Sequence, residues 1–267
     1  MERVDRPQLA VFAAPAPLVA GASVTLGEDV AHHMRVRRTE PGERVRLVDG
    51  EGVIAEGTLV RLARAAAIVD VLEATSMPAP APIHLLVPVA DRVRLLWLAE
   101  KAAELGLTSW RPVHWRRSRS VSPRGEGPGF QQKVHARMLS ALAQSEGAWL
   151  PTLYPDATPE RAVAATPDGT RLVLDPDGVP LAGLVDASPL TIALGPEGGF
   201  DRDERDRLVA AGFVPAAIGG NILRFETAGV AALAVARTMQ LAASPTTNTR
   251  AAAARATAAR VTPTPSP

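Results

Sequence analysis

The sequence predicts a two-part chain: a small N-terminal β-barrel followed by an α/β layer with a mostly parallel sheet. Three observations carry this. Before residue 78 the apolar residues fall in short β-like runs separated by Gly-containing turns. Pro78-Ala79-Pro80-Ala81-Pro82 is a Pro-rich break, which favours stiff, extended backbone. Beyond it, strand-like apolar runs alternate with segments of helical spacing, the pattern of an α/β layer.

The elements follow in order. Leu9–Ala13, Arg44–Val48, Val53–Arg61 and Ala66–Leu72 read as strands, punctuated by Pro41-Gly42, Asp49-Gly50 and Glu51-Gly52. In Arg44-Val45-Arg46-Leu47-Val48 apolar residues roughly alternate with Arg, as in a half-buried strand. Ile83–Val89 is an apolar run suited to a strand covered on both faces. Leu95, Leu98, Ala99, Ala102 and Leu105 share one helical face, and Gly106 is placed to end that helix. Trp110–His114 reads as the next strand and Gln131–Gln144 as a helix. Strands Arg171–Leu174, Thr191–Leu194 and Ala216–Ile218 then alternate with helices Arg202–Ala211 and Ala228–Leu241. From Ser244 onward the only bulky apolar residue is Val261, so a disordered tail is expected over 244–267. The resulting division is 1–77, 83–243 and the tail.

Composition narrows the function classes. The 267 residues suit one large domain or two smaller ones. Cysteine is absent, which excludes disulfides, thiolate metal sites, iron–sulfur clusters and a cysteine nucleophile. With five His and no H-x-x-x-H spacing, no metal is expected. The longest useful apolar run, Ala228–Ala236, is far short of the roughly 18 residues of a membrane span, and the charged start resembles no signal segment. The cytoplasm is the expected compartment, with no membrane partner. Net charge is +1, but it is segregated. Arg111–Arg137 carries +6 and Pro151–Pro215 carries −6. The basic stretch is either a phosphate-contacting surface or a solvated Arg-rich loop.

Two Gly-rich segments concentrate the chemistry. In Thr191-Ile192-Ala193-Leu194-Gly195-Pro196-Glu197-Gly198-Gly199-Phe200-Asp201-Arg202-Asp203-Glu204, a strand runs through a Gly turn into a helix, with Asp201 and Glu204 spaced as a capping pair. Such a turn at the carboxyl end of a parallel strand is a usual ligand position. It is neither G-x-G-x-x-G nor a P-loop. Three acids at the helix start would repel a phosphate, so a cofactor without phosphate fits better. In Ile218-Gly219-Gly220-Asn221-Ile222-Leu223-Arg224-Phe225-Glu226-Thr227-Ala228 a second strand joins a helix, with Thr227 the expected N-cap. The two loops could enclose one small ligand. Each also has a plain structural reading: a tight turn for the first, a surface Arg224–Glu226 pair for the second.

These segments, Leu194-Gly195-Pro196-Glu197-Gly198-Gly199-Phe200 and Ile222-Leu223-Arg224-Phe225-Glu226-Thr227-Ala228, closely resemble the ribosomal RNA small-subunit (uracil-N3) methyltransferase family, methyltransferase E, of the SPOUT class. Glu100-Lys101-Ala102-Ala103-Glu104-Leu105-Gly106 and Arg117-Ser118 match further family motifs. His32, Arg35, Arg38, Pro41-Gly42 and Asp49-Gly50 resemble its PUA-like RNA-binding domain. The resemblance spans about residues 7–243. It departs at Ala143-Gln144-Ser145-Glu146-Gly147-Ala148, where a family glutamate and arginine are missing, and at Phe225, where the family has Thr.

The resemblance implies a PUA-like β-barrel, then an α/β domain ending in a trefoil knot, assembled as a homodimer. It implies S-adenosylmethionine as cofactor, held among the loop after Arg171–Leu174, the Gly195–Gly199 loop and the Ile218–Arg224 loop. The implied cofactor-binding residues are Leu174, Leu194, Gly195, Pro196, Glu197, Gly198, Gly199, Ile218, Gly219, Ile222, Leu223 and Thr227. The RNA-binding set is His32, Arg35, Arg38, Lys101, Arg116, Arg117 and Arg119. The implied reaction is methylation of N3 of a uridine in 16S ribosomal RNA, free or in the small subunit. With no Cys, C5 methylation through a cysteine adduct is closed, whereas N3 needs only loss of the imide proton and stabilisation of the anion. Arg224 is the candidate cation and Glu197 the candidate for orientation or proton acceptance. Two alternatives remain: a non-catalytic RNA-binding protein with a decayed enzyme domain, and a 2′-O-ribose methyltransferase.

Overall fold

The computed structural model describes residues 9–15, 17–120 and 123–243. In chain order the elements are β1 (Ala10–Ala13), β2 (Ser23–Leu26), α1 (Glu28–Val36), β3 (Arg44–Val48), β4 (Val53–Leu62), β5 (Ala67–Ser76) and β6 (Ile83–Pro88). Next come α2 (Arg92–Glu104), β7 (Ser109–Val113), α3 (Pro128–Gln144), β8 (Thr152–Leu153), α4 (Pro159–Ala164) and β9 (Thr170–Pro180). Last come β10 (Leu190–Ala193), α5 (Arg202–Ala210), β11 (Val214–Ala217) and α6 (Phe225–Ala243), and a 3₁₀ turn spans Arg116–Ser120. The expected tail from Ser244 and the side chain of Arg119 lie outside the described residues.

The chain divides into two compact units that interleave in sequence. The first comprises 1–80, 91–110 and 123–155, the second 81–90, 111–122 and 156–267.

The first unit is built on a sheet of order β1-β3-β4-β5-β2. β1 runs parallel to β3, and the other pairings are antiparallel. In β4 the inward residues Ala55, Gly57 and Leu59 alternate with half-buried Ile54, Glu56 and Thr58, the period of a one-sided strand. Phe12, Leu26, Val45, Leu47, Leu59 and Val69 form the core with Ala31 and Met34 of α1. Among the described residues β1 and β2 remain edges, so no closed barrel is formed there. Neither β2 nor α1 is predicted from the sequence. The helix buries only Ala31 and Met34, too few for a periodic signal, so its stability comes from packing rather than propensity.

Helices α2 and α3 belong to this unit and pack together. Leu95, Leu98, Ala99 and Ala102 are buried as their spacing predicts, whereas Leu105, expected on the same face, is the half-buried C-cap residue. Asp91 caps α2, accepting from the Val93 and Arg94 N–H groups at 3.1 and 3.0 Å, so the helix starts three residues before the apolar stripe. Gly106 ends it at φ +70°.

The second sheet has the order β11-β9-β10-β6-β7-β8. β11, β9, β10 and β6 run parallel. β10 is buried at every residue and β6 at all but His84, as expected of strands covered on both faces. Trp115, Val173, Ala193, Leu208 and Phe213 form one core cluster beneath α4 and α5. At the carboxyl end of β9 the register against β11 breaks. Pro215 faces Val173 and the next residue, Ala216, faces Val179, so 174–178 bulge out of the ladder. α6 is anchored by Gln240, whose amide donates to the carbonyls of Pro82 and Ser188 at 3.3 and 3.1 Å. Arg237 beside it donates to Ala81 O at 2.7 Å.

Candidate cofactor site at the carboxyl edge of the sheet

Parallel pairing decides where the Gly-rich loops go. Because β11, β9 and β10 are parallel neighbours, the segments leaving their carboxyl ends emerge on one edge. These are 218–224 after β11, the 174–178 bulge of β9, and 194–201 after β10. The three loops expected to surround a cofactor therefore share one edge, where ligands of open α/β sheets bind.

The loop after β10 is the best defined. Leu194 is buried, and its N–H donates to Leu86 O at 2.9 Å, continuing the ladder. Pro196 is buried, Gly195 half-buried, and Glu197, Gly198 and Gly199 are exposed. The Gly199 N–H closes a turn on Pro196 O at 2.8 Å, with φ +68° at Gly199, a conformation that an L side chain adopts only under strain. Asp201 and Glu204 make the expected capping box. Asp201 accepts from the Asp203 N–H, and Glu204 accepts from the Asp201 N–H, both at 3.0 Å.

Sequence reasoning missed what lies against this loop. The Arg116 guanidinium pairs with Asp201 at 3.0 Å and Asp203 at 3.2 Å, and its backbone N–H donates to Glu204 at 2.7 Å. Hydrogen bonding to Asp203, with Asp201 adding to it, raises the Arg116 pKa above its ordinary value. Arg117 donates to Gly198 O at 2.7 Å. Trp115 meets Phe200 edge-to-face at 5.0 Å. The opposite charges of the two stretches, +6 and −6, were the available signal: residues from one pair with residues from the other.

The remaining predicted residues fall as follows. Leu174 is half-buried at the start of the β9 bulge, where Asp175 pairs with Arg205 of α5 at 2.7 Å. Ile218 is half-buried, Gly219 exposed, and Ile222 and Leu223 are 89% and 36% exposed. Thr227 is not the N-cap. α6 begins at Phe225, and Arg224 O accepts the Ala228 N–H at 2.8 Å, so Arg224 stands at the helix entrance with Thr227 inside the first turn. The local preference of Thr for caps is overridden because Phe225 and Glu226 are both buried and draw the helix start back. Arg224 is exposed.

Among the RNA candidates, His32 is exposed on α1. Arg35 donates to Arg64 O at 3.1 Å, and Arg38 takes φ +57° after the helix. Lys101 is held between Glu100 and Glu104 at 2.8 and 2.7 Å, and Arg137 adds a bond to Glu100 at 3.0 Å. At the departure noted from the resemblance, Glu146 pairs with Arg46 of β3.

The family described as RNA methyltransferase domain matches residues 77–237, more than half of the chain. The chain belongs to the RNA methyltransferase domain family. Residues 26–72 match the RNA methyltransferase PUA domain. The ribosomal RNA small subunit methyltransferase E of Synechocystis sp. is 29% identical over 224 residues, covering 80% of this chain and 72% of that protein. The Mycobacterium bovis protein of the same name is 28% identical over 238 residues, covering 81% and 86%. Among solved structures, a ribosomal RNA small subunit methyltransferase E from Neisseria gonorrhoeae, bound to S-adenosyl methionine, superposes with a TM-score of 0.78. Its identity is 27%, with 86% of this chain and 98% of that chain covered. The fold is thus an α/β methyltransferase fold with a PUA-like region.

Proposed function

We propose that this chain is an S-adenosylmethionine-dependent ribosomal RNA methyltransferase acting on N3 of a uridine in 16S ribosomal RNA. One observation carries the reading: a Gly-rich turn with exposed backbone, on the carboxyl edge of the sheet, in a chain aligned over 98% of an enzyme whose structure holds S-adenosyl methionine.

The residues present fit that cofactor. Leu194 and Pro196 are apolar, Ile222 and Leu223 are uncovered apolar side chains, and the turn residues Glu197, Gly198 and Gly199 are exposed, so a neutral base can approach the turn closely. No P-loop Lys follows the turn, and acids flank it, which suits a group without phosphate. When bound, S-adenosylmethionine supplies an electrophilic methyl group on its sulfonium. The protein's part is to orient the uracil, stabilise the charge that develops on O2 and O4 as the N3 proton leaves, and direct N3 at the methyl group. We assign the role of that cation to Arg224, exposed at the entrance of α6, and proton acceptance to the Glu197 carboxylate. The methyl group would come from the bound S-adenosylmethionine, and the proton released from N3 would pass to the Glu197 carboxylate or to water. Positioning alone could lower the barrier by as much as ~7–11 kcal/mol.

The same reading includes a PUA-like RNA-binding domain over residues 1–77, a knotted chain path in the C-terminal region of 83–243, a homodimer, and cytoplasmic residence. RNA contacts are assigned to His32, Arg35, Arg38 and Arg117, with Lys101 and Arg116 offset by their own carboxylate partners. No described helix is long and apolar enough to cross a membrane. Calorimetric titration of S-adenosylmethionine, then transfer of labelled methyl to small-subunit RNA, tests the reading. An N3 product arrests reverse transcription because the pairing edge is blocked. Binding of RNA without the cofactor would favour a non-catalytic RNA-binding protein, and a product that leaves reverse transcription unimpeded would overturn the N3 assignment.

A further inference from the structure

We infer that Glu204 is a positioning residue that holds the Gly195–Phe200 loop in its cofactor-ready shape; this rests on the function proposed above. Glu204 lies in the first turn of α5 and is only 3% exposed. An ordinary capping box uses its glutamate once, on the N-cap N–H. Here Oε2 makes that bond, to Asp201 at 3.0 Å, and Oε1 accepts the Arg116 N–H at 2.7 Å. One carboxylate therefore joins the end of the Gly loop to a segment distant in sequence.

That segment touches the loop through three consecutive residues. Trp115 packs its ring against Phe200, and Phe200 in turn crowds Gly195, where an added Cβ would lie 3.1 Å from the ring. Arg116 binds Glu204 through its backbone and Asp201 through its side chain. Arg117 bonds Gly198 O at 2.7 Å, and its stem lies 3.3 Å from where a Gly198 Cβ would sit. The next residue on α5, Arg205, pairs with Asp175 of the neighbouring bulge, whose carboxylate is 12% exposed. The helix start thus fixes two of the three loops. A Gly-rich loop left free would have to be ordered on binding, and that entropy would weaken affinity. Glu204 touches no ligand in this arrangement; it acts through Arg116, Arg117 and Asp201.

The test uses the full chain, with S-adenosylmethionine as the probe and no RNA in the binding step. Glu204→Gln keeps the size but offers an amide N–H₂ to one of the two N–H donors. It should raise the cofactor Kd and KM about tenfold, with kcat at saturating cofactor within about twofold. A role confined to stability would instead lower the melting temperature and the active fraction while leaving Kd and KM unchanged, and that result overturns the inference. Arg117→Met, at an exposed position, keeps the stem and loses the donor. It should raise Kd about fivefold, and combining it with Glu204→Gln should add little, because both act on one loop. Full additivity, or an unchanged Kd in Arg117→Met, overturns the inference even where Glu204→Gln does not fold. Failure of the wild-type protein to bind S-adenosylmethionine would instead refute the proposed function.

Discussion

Replacing Gly198 by Val separates cofactor binding from folding, and the structure sets the size of each effect. A Cβ at this position would lie 3.3 Å from Cβ and Cδ of Arg117, so even Ala presses on the arginine stem. Val adds two more carbons. In a closed core such overpacking costs about 1–3 kcal/mol. Here the neighbour is an exposed side chain that can swing away, at the expense of its hydrogen bond to Gly198 O. The stability loss is then that of one solvent-accessible bond, about 1 kcal/mol, or a fall in Tm of roughly 2–4 °C for a chain of this size. Cofactor binding should suffer more, because the new side chain both covers the exposed backbone of the turn and displaces the arginine that fixes it. We expect affinity for S-adenosylmethionine to fall by at least about 100-fold, close to 2.7 kcal/mol. Gly199→Ala is the control. Nothing lies within 4 Å of its added Cβ, so its cost is the left-handed backbone alone, about 1–2 kcal/mol, and its effect on affinity should be smaller. Thermal unfolding and calorimetry on both variants give the two readouts. Wild-type affinity in folded Gly198→Val would refute the assignment of this loop.

Three further outcomes follow from the same geometry. Arg224→Ala should lower kcat by about 100-fold with little change in cofactor affinity, measured by single-turnover methyl transfer, and near-normal turnover removes Arg224 from the reaction. Arg46→Met should destabilise the protein by about 1–2 kcal/mol near neutral pH, since Arg46 bonds Glu56 at 2.9 Å and also Glu146. Its hydrogen bond to Glu56 holds that carboxyl below its ordinary value, so the contribution is complete above the ordinary carboxylate pKa and fades as pH falls through the lowered one. Urea unfolding of both proteins should converge in acid, and a gap independent of pH refutes the ionic origin. Replacing Arg38 and Arg117 by Gln should reduce the salt dependence of RNA binding by about 0.7–0.9 for each phosphate left unneutralised. Replacing Lys101 or Arg116 should not, because Glu100, Glu104, Asp201 and Asp203 already offset their charges.

Legibility in the sequence followed the range of the interactions. The Asp201/Glu204 capping box, the buried face of α2 and the strand β10, one residue earlier than its expected Thr191–Leu194, are local patterns that the sequence shows. The start of α6 was misplaced because Thr227 is a good cap by itself, and only the burial of Phe225 and Glu226 shows that the helix begins earlier. α1 and α4 escaped notice for a related reason: they are short, and bury only Ala31 with Met34 and Ala162 respectively. The partners of Arg116 were invisible because the bond to Glu204 spans residues whose sequence spacing carries no period. Its charge was visible, but charge alone does not distinguish a surface for phosphate from a strap for a neighbouring acid.

That strap bears on which ligand the edge accepts. The usual phosphate site after a Gly loop uses the free N–H groups of the following helix and its positive dipole end. In α5 two of the groups at the helix start are taken: Asp201 accepts the Asp203 N–H, Glu204 accepts the Asp201 N–H, and Arg116 ties both acids to its own segment. The acids therefore do more than repel a phosphate. They occupy two of the N–H donors at the helix start, and they fix that helix start against the segment of Arg116. What stays exposed is the turn Glu197, Gly198 and Gly199, beside buried apolar Leu194 and Pro196, with the Gly198 carbonyl and the Gly199 N–H already bonded to Arg117 and Pro196. Such a surface suits the edges of an uncharged base. A nucleoside joined to a sulfonium brings the base without phosphates, whereas a dinucleotide or a nucleoside triphosphate brings the same base with phosphates, at a helix start whose Asp201 and Asp203 N–H groups are already bonded. Under the proposed function, the hydrogen bonds of the first turn of α5 therefore count against a phosphate-bearing ligand at this edge.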